Sequence, residues 1–320
     1  MIPLWRRTLP AAKMQAQSNT RPSVAGDAAY DADGKITFTT EDFMLIVDSQ
    51  VHIWGADTPE RPWPARAHAQ RDIPLGHEEL LGDMDAAGVD RVIIVPPSWE
   101  GDRNDLAIAA AQEYPGRFAI MGRFNPEAPG ARETIKTWLH QPGMLGMRFS
   151  FHIPVLQQPL TEGKFDWVWS EAEKLGIKLM ILVPQNFVHV IDGVAARHPN
   201  LKIIMDHMVL SSGKPEDETF RDFDKLLPIA KRPNVAVKAS ALPCYLKEPY
   251  PFTKVQTYAK RAYEAFGPQR LFWGSDWSRS PAPYRQHIDM WLKDAPWVKE
   301  ADKEWIMGRG VCEWLGWKMP

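Results

Sequence analysis

This 320-residue chain predicts a single-domain (β/α)8 barrel, an α/β fold, preceded by an N-terminal extension. Three observations carry the prediction. Eight short apolar runs alternate with stretches of helical pattern from residue 44 onward. Those runs are near-continuously apolar, as in parallel strands covered on both faces, and lack the alternation of a one-sided sheet. Several end in polar side chains, and the carboxyl ends of barrel strands are where such groups gather.

The strands are expected at 43–54, 90–98, 118–126, 144–152, 178–185, 202–209, 234–242 and 270–278, each β-branched or apolar and bounded by turn residues. Helical patterns fill the gaps. The stretches 78–87 and 166–175 each end at a glycine, Gly88 and Gly176, which accepts the left-handed closing residue of a helix. The stretch 105–114 stops before Pro115, and 258–266 stops at Gly267-Pro268. A doubly wound open sheet is the competing architecture. No strand is followed by the glycine-rich turn that cradles a dinucleotide phosphate, which counts against it. Residues 1–43 are rich in Ala, Ser, Asp and Gln without clear periodicity. They are expected to form an arm, partly irregular, that wraps the domain or a neighbouring subunit, with the barrel occupying 44–320.

Composition narrows the partners. Apolar content of 44%, charged content of 24% and a net charge of −2 describe an ordinary soluble globule with no electrostatic call on nucleic acid or a membrane surface. No apolar stretch approaches the roughly 20 residues that span a bilayer, and the first residues lack a secretory apolar core. Cys244 and Cys312 match no metal-knuckle or redox spacing, so two unpaired thiols in a reducing, cytoplasmic compartment are expected. Of the 14 tryptophans, Trp54, Trp99 and Trp277 stand beside polar strand ends, where they can wall a pocket. The surplus of tryptophan and the N-terminal arm leave a homodimer open.

The polar strand ends are Gln50 and His52, Ser98, Arg123, Arg148, Gln185, Asp206 and His207, Lys238 and Ser240, and Asp276. A barrel brings residues this far apart in sequence to one mouth. His52, His207 and Asp276 form the combination with chemistry: a carboxylate to take a proton from water, and two imidazoles to polarise a carbonyl or hold a metal. Arg148 and Arg123 match a substrate carboxylate with two parallel hydrogen bonds each, unless they serve barrel salt bridges. Ser98 and Asn104 lie at a helix start, where they either cap the helix or contact an anion. Lys238 is read as a cationic substrate contact or an amine nucleophile, or else as the partner of a buried carboxylate. Tyr245, in the loop after the seventh strand, is a candidate proton donor. A serine nucleophile is not indicated, because no Gly-x-Ser-x-Gly elbow occurs.

Four stretches in order, Val47-Asp48-Ser49-Gln50-Val51-His52-Ile53-Trp54, Gly146-Met147-Arg148-Phe149, Met205-Asp206-His207-Met208 and Phe272-Trp273-Gly274-Ser275-Asp276-Trp277, resemble the amidohydrolase superfamily, in its family 2 branch. Within it the chain looks most like lactonases acting on pyrone or muconolactone-type acids and on sugar acids. The resemblance implies that Arg148 holds a substrate carboxylate and that the loop from Ser98 to Asp105 lines the site. Related members decarboxylate aromatic or muconate acids with a bound divalent metal. The superfamily's first-strand motif is His-x-His, whereas this chain has Gln50-Val51-His52, and Gln185 stands near the place of a fifth-strand metal histidine. An amide is a poor zinc ligand. The expectation is therefore a metal-free hydrolase opening a lactone or similar ester of a small carboxylated substrate, with Gln50 and Gln185 among the binding residues. One divalent ion, zinc or manganese, on His52, His207 and Asp276 stays open, and with it a metal-dependent decarboxylase or hydratase. A barrel that binds a ligand without turnover is the third reading.

Overall fold

The computed structural model describes residues 29–30, 36–37 and 44–320, apart from 66 and 212. Two compact units are distinguished, Met1–Phe43 and Met44–Pro320. In the first, the described residues form a two-stranded antiparallel pair, Ala29–Tyr30 with Ile36–Thr37. The rest of the expected arm lies outside the described residues.

In the second unit, eight parallel strands follow one another in chain order: β1 Val47–Val51, β2 Arg91–Ile94, β3 Phe118–Arg123, β4 Met144–Ser150, β5 Lys178–Leu182, β6 Ile203–Met205, β7 Val235–Ser240 and β8 Leu271–Gly274. Each expected run contains one of them. The ring is drawn together between β8 and β1 by Ser49 Oγ donating to the Trp273 carbonyl at 2.5 Å. The Asp276 N–H adds a bond to the Gln50 carbonyl at 2.8 Å. Helices pack outside the ring, among them α1 His77–Ala87, α2 Asp105–Glu113 and α3 Asp166–Leu175. Gly88 and Gly176 close α1 and α3 in the left-handed conformation, as their positions predict. The last long helical pattern begins earlier than expected, giving α4 Thr253–Phe266. Its first turn is capped from upstream, by Glu248 accepting from the N–H groups of Lys254 and Val255. Such a cap leaves no local sequence signal.

Side chains two apart on a strand share a face, and that alternation builds the site. Val47, Ile93, Met121, Met180, Ile204, Ala236 and Phe272 fill the barrel interior in one apolar cluster. Two positions further along their strands come Arg123, Asp206 and Lys238, and Arg148 lies beside Arg123 in register. The polar floor of the mouth therefore rests on an apolar plug. Gly146 is required in this packing, because a Cβ there would lie 2.2 Å from the Lys178 carbonyl oxygen on β5. Cys244 and Cys312 are both free thiols, and among the described residues no helix is long and apolar enough to cross a membrane.

Candidate active site

β6 is short because the chain turns off sharply after Met205. His207, Met208 and Val209 all have positive φ, at 54°, 51° and 53°. Left-handed backbone is costly for a β-branched residue such as Val209, and strain of this kind persists only where the surroundings enforce it. Asp276, after β8, is held the same way at φ 52°. These two turns aim Asp206, His207 and Asp276 across the mouth toward His52 on the segment after β1.

There His52 Nε2 lies 3.4 Å from Asp276 Oδ1, and His207 Nε2 lies 3.9 Å from Asp276 Oδ2. Both imidazoles and the carboxylate are buried. Asp276 Oδ2 accepts from Arg279 Nε at 2.5 Å, whereas Oδ1 is buried without a hydrogen-bond partner among the described residues. Burial raises the Asp276 carboxyl, but the Arg279 guanidinium at Oδ2, joined by the two imidazoles whenever these carry a proton, holds the group below the usual carboxylate range. It is an anion at any working pH.

The protonation of His52 follows from its partners. Its Nδ1 faces the Val95 carbonyl at 2.5 Å, an acceptor only, so Nδ1 carries the hydrogen. Burial lowers the imidazole to about 4, so it is neutral at pH 7 and Nε2 presents a lone pair. The Gln50 amide nitrogen, 3.2 Å away, donates to that lone pair, and Asp276 Oδ1 lies 3.4 Å from the same nitrogen of the ring. Held this way, His52 offers no hydrogen to Asp276 or to a carbonyl oxygen, which differs from the carbonyl-polarising role expected of it. His207 keeps either option, because Nδ1 meets the Ser240 hydroxyl at 2.8 Å, which can donate or accept. Burial lowers it to about 3.

Beneath lies a fully buried charge network. Asp206 Oδ2 accepts from Arg148 Nε at 3.0 Å, and Asp206 Oδ1 pairs with Lys238 Nζ at 2.8 Å. Arg148 Nη1 also donates to Ser150 Oγ at 2.6 Å. Burial would raise Asp206, yet the two cations hold it below its ordinary value.

A cavity of about 530 Å³ opens above, its lining including His52, His207, Asp276, Arg148, Arg279 and Tyr245, and also Ser98, Trp99, Gln70 and His152. The hydroxyl of Tyr245 accepts from Arg279 Nη2 at 3.0 Å, and burial pushes it up to about 12.

The remaining expected residues fall elsewhere. Lys238 is completely buried and does not line the cavity, so a direct substrate contact or amine chemistry does not suit it. Gln185 spends its amide on backbone, donating to the Thr219 carbonyl and accepting from the Asp222 N–H. Asn104 does likewise, clasping the Arg123 backbone in both directions at 2.9 and 2.8 Å and tying α2 to the end of β3. Gln50 is buried below the mouth, bonded to Lys238 and His52. Arg123 is nearly buried beside Arg148, with Asp102 3.7 Å away, and burial lowers it to about 10. Trp99 walls the cavity and Trp54 backs it edge-on. Trp277 instead bonds Asp83 and stacks on Tyr284.

Sequence reasoning passed over Arg279 and His152. His152 was within reach, since it lies two residues beyond Ser150 in the run that carries Arg148. Arg279 stands three residues after Asp276 in a single turn of helix, Trp277–Arg279, and no periodicity marks so short an element.

Three buried histidines, His52, His207 and His287, are held at about 4, 3 and 4 by burial. The unfolded chain binds these protons near pH 6.5, so stability is full above that pH and is lost as pH falls toward 4. Asp48, raised to about 6 by burial, works in the opposite direction as a single group. The melting temperature is expected to fall steadily between pH 6.5 and 4 in calorimetry. A flat profile there would contradict neutral burial of these rings.

The family model described as Amidohydrolase matches residues 47–309. An L-fucono-1,5-lactonase of Burkholderia ambifaria is 25% identical over 245 residues, covering 72% of this chain and 79% of that protein. A 4-sulfomuconolactone hydrolase of Hydrogenophaga intermedia is 25% identical over 238 residues, covering 73% and 74%. Among solved structures, an amidohydrolase from Burkholderia multivorans with bound zinc superposes with a TM-score of 0.70 at 20% identity, covering 85% of this chain and 99% of that one. The family match begins at the first residue of β1 and runs past the turn that carries Asp276 and Arg279, and this chain belongs to the amidohydrolase family.

Proposed function

We propose that this protein is a hydrolase that opens a lactone carrying an anionic group. One observation carries the reading: a buried carboxylate oxygen with no hydrogen-bond partner among the described residues, Asp276 Oδ1, lies 3.4 Å from His52 Nε2 in the wall of a cavity that also holds Arg148 and Arg279. Asp276 Oδ1 accepts a hydrogen from a water and orients its oxygen toward the substrate carbonyl. The water oxygen adds to that carbonyl, and its proton passes to Asp276. His207, with its proton on Nε2, donates to the oxyanion. Collapse breaks the ring C–O bond, and the departing oxygen takes the proton, giving a hydroxy acid. The cationic excess at the mouth favours a negatively charged substrate, which Arg148 and Arg279 hold in register. The named activities of the two curated relatives, both on lactones, support the same bond.

A divalent ion fits the constellation poorly. Arg279 already closes Asp276 Oδ2, and Gln50 Nε2 approaches the His52 lone pair at 3.2 Å. The two imidazoles face different oxygens of Asp276, and among the described residues no three His, Cys, Asp or Glu side chains converge as a metal site requires. The ion pairs at the site set three cations, Arg148, Lys238 and Arg279, against two anions, Asp206 and Asp276, so a further dication meets net repulsion.

The test is acid release from muconolactone and from a neutral sugar δ-lactone, followed with a pH indicator before and after dialysis against chelator. Turnover of the anionic lactone, unchanged by chelation, is expected. Hydrolysis of neither lactone would sink the reading, and activity lost to chelator and restored by zinc would overturn its metal-free form.

A further inference from the structure

Lys238 is a buried lysine that the proposed chemistry does not use. Its ammonium lies within reach of three oxygens: Gln50 Oε1 at 2.5 Å, Asp206 Oδ1 at 2.8 Å and the Ser49 carbonyl at 3.4 Å, with Met180 Sδ at 3.3 Å. An ammonium has donors only, and it has three of them. It therefore dictates which way Gln50 faces. With Oε1 committed to Lys238, the amide nitrogen must face His52, where Nε2 lies 3.2 Å away. His52 is pinned from its other side by Val95. Every link in the chain from Lys238 through Gln50 and His52 to Val95 has one permitted direction, and the direction leaves His52 Nε2 as an acceptor.

We infer that Lys238 is a positioning residue: acting through Gln50, it fixes the His52 ring with Nε2 as an acceptor 3.4 Å from Asp276 Oδ1, so that the ring offers no hydrogen to the oxygen that must receive the reacting water. Without the ammonium, the Gln50 amide is free to rotate and present Oε1 to the ring, setting two acceptors against each other. The same Nζ grips Asp206, which orients Arg148. One buried cation thereby ties the water-handling side of the site to its anion-handling side. The consequence for rate rests on the proposed hydrolysis, but the hydrogen-bond chain does not.

The test is a double-mutant cycle on histidine-labelled protein, reading the ¹⁵N resonances of His52, assigned by their loss in His52→Gln. In the wild type, Nδ1 is expected protonated and Nε2 hydrogen-bonded as an acceptor. Lys238→Met and Gln50→Leu are each expected to move the Nε2 resonance toward its unbonded position. Because one residue acts through the other, the double variant should add nothing further. On a confirmed lactone, each variant is expected to lose about tenfold in kcat at little change in KM, again without additivity. A merely structural lysine would lower the melting temperature and leave the His52 resonance in place. An Nε2 resonance unchanged in folded Lys238→Met, or effects that sum in the double variant, would overturn the inference. The spectroscopic arm needs no turnover, so failure of the lactone assay leaves it intact.

Discussion

Asp276→Asn is expected to lower kcat/KM on an anionic lactone by about 10³-fold, with most of the loss in kcat. The substitution keeps size and shape but removes the group that receives the proton of the attacking water. It also changes what faces His52. An amide N–H placed opposite His52 Nε2 would compete with Gln50 for the single lone pair there, disturbing the ring as well as removing the base. Arg148 keeps both its partners, Asp206 and Ser150, so anchoring of the substrate's anionic group should survive. Arg279 does not fare as well. It is nearly buried, its strongest partner is the Asp276 carboxylate, and Tyr245 alone remains on its far side. Some loss of melting temperature therefore accompanies the loss of rate. Initial rates and thermal unfolding on the same preparation separate the two effects. A folded Asp276→Asn protein that turns over at the wild-type rate would remove Asp276 from the role of base.

What the chain disclosed in advance was the frame. Strand order, the barrel and the convergence of His52, Arg148, His207 and Asp276 follow from two local rules, apolar runs and polar strand ends, because a parallel barrel turns linear position into spatial position. The rules fail where a side chain's partner is set by tertiary contact. Gln185 and Asn104 look like binding residues at their strand and helix ends, yet their amides are taken by backbone 34 and 19 residues away. Lys238 looks like a mouth residue. It is instead sealed one layer down, because it stands two positions after Ala236, in the first layer above the apolar plug. Arg279 escaped notice for another reason: it is delivered by a left-handed turn at Asp276, and backbone strain has no signature in residue type unless the residue is glycine.

Asp206→Leu is expected to be the most destabilising single change in the barrel, by about 3–5 kcal/mol in chemical denaturation. The reason is charge bookkeeping in a dry interior. Asp206 is wholly buried and is, among the described residues, the carboxylate paired with both Arg148 and Lys238, themselves 5% and 0% exposed. Removing it leaves two like charges without a counter-ion, and their mutual repulsion then adds to the desolvation each already bears. Against a typical total stability of about 5–15 kcal/mol, the loss threatens folding at growth temperature. The double change Lys238→Met with Asp206→Leu should recover part of it, because removing an ion pair together is less harmful than orphaning one member. Recovery cannot be complete, since Arg148 still lacks its Nε partner. If Asp206→Leu melts like the wild type, the buried ions must have found water or another anion. If the double variant is no more stable than the single one, the damage lies in packing and not in the charge on Lys238.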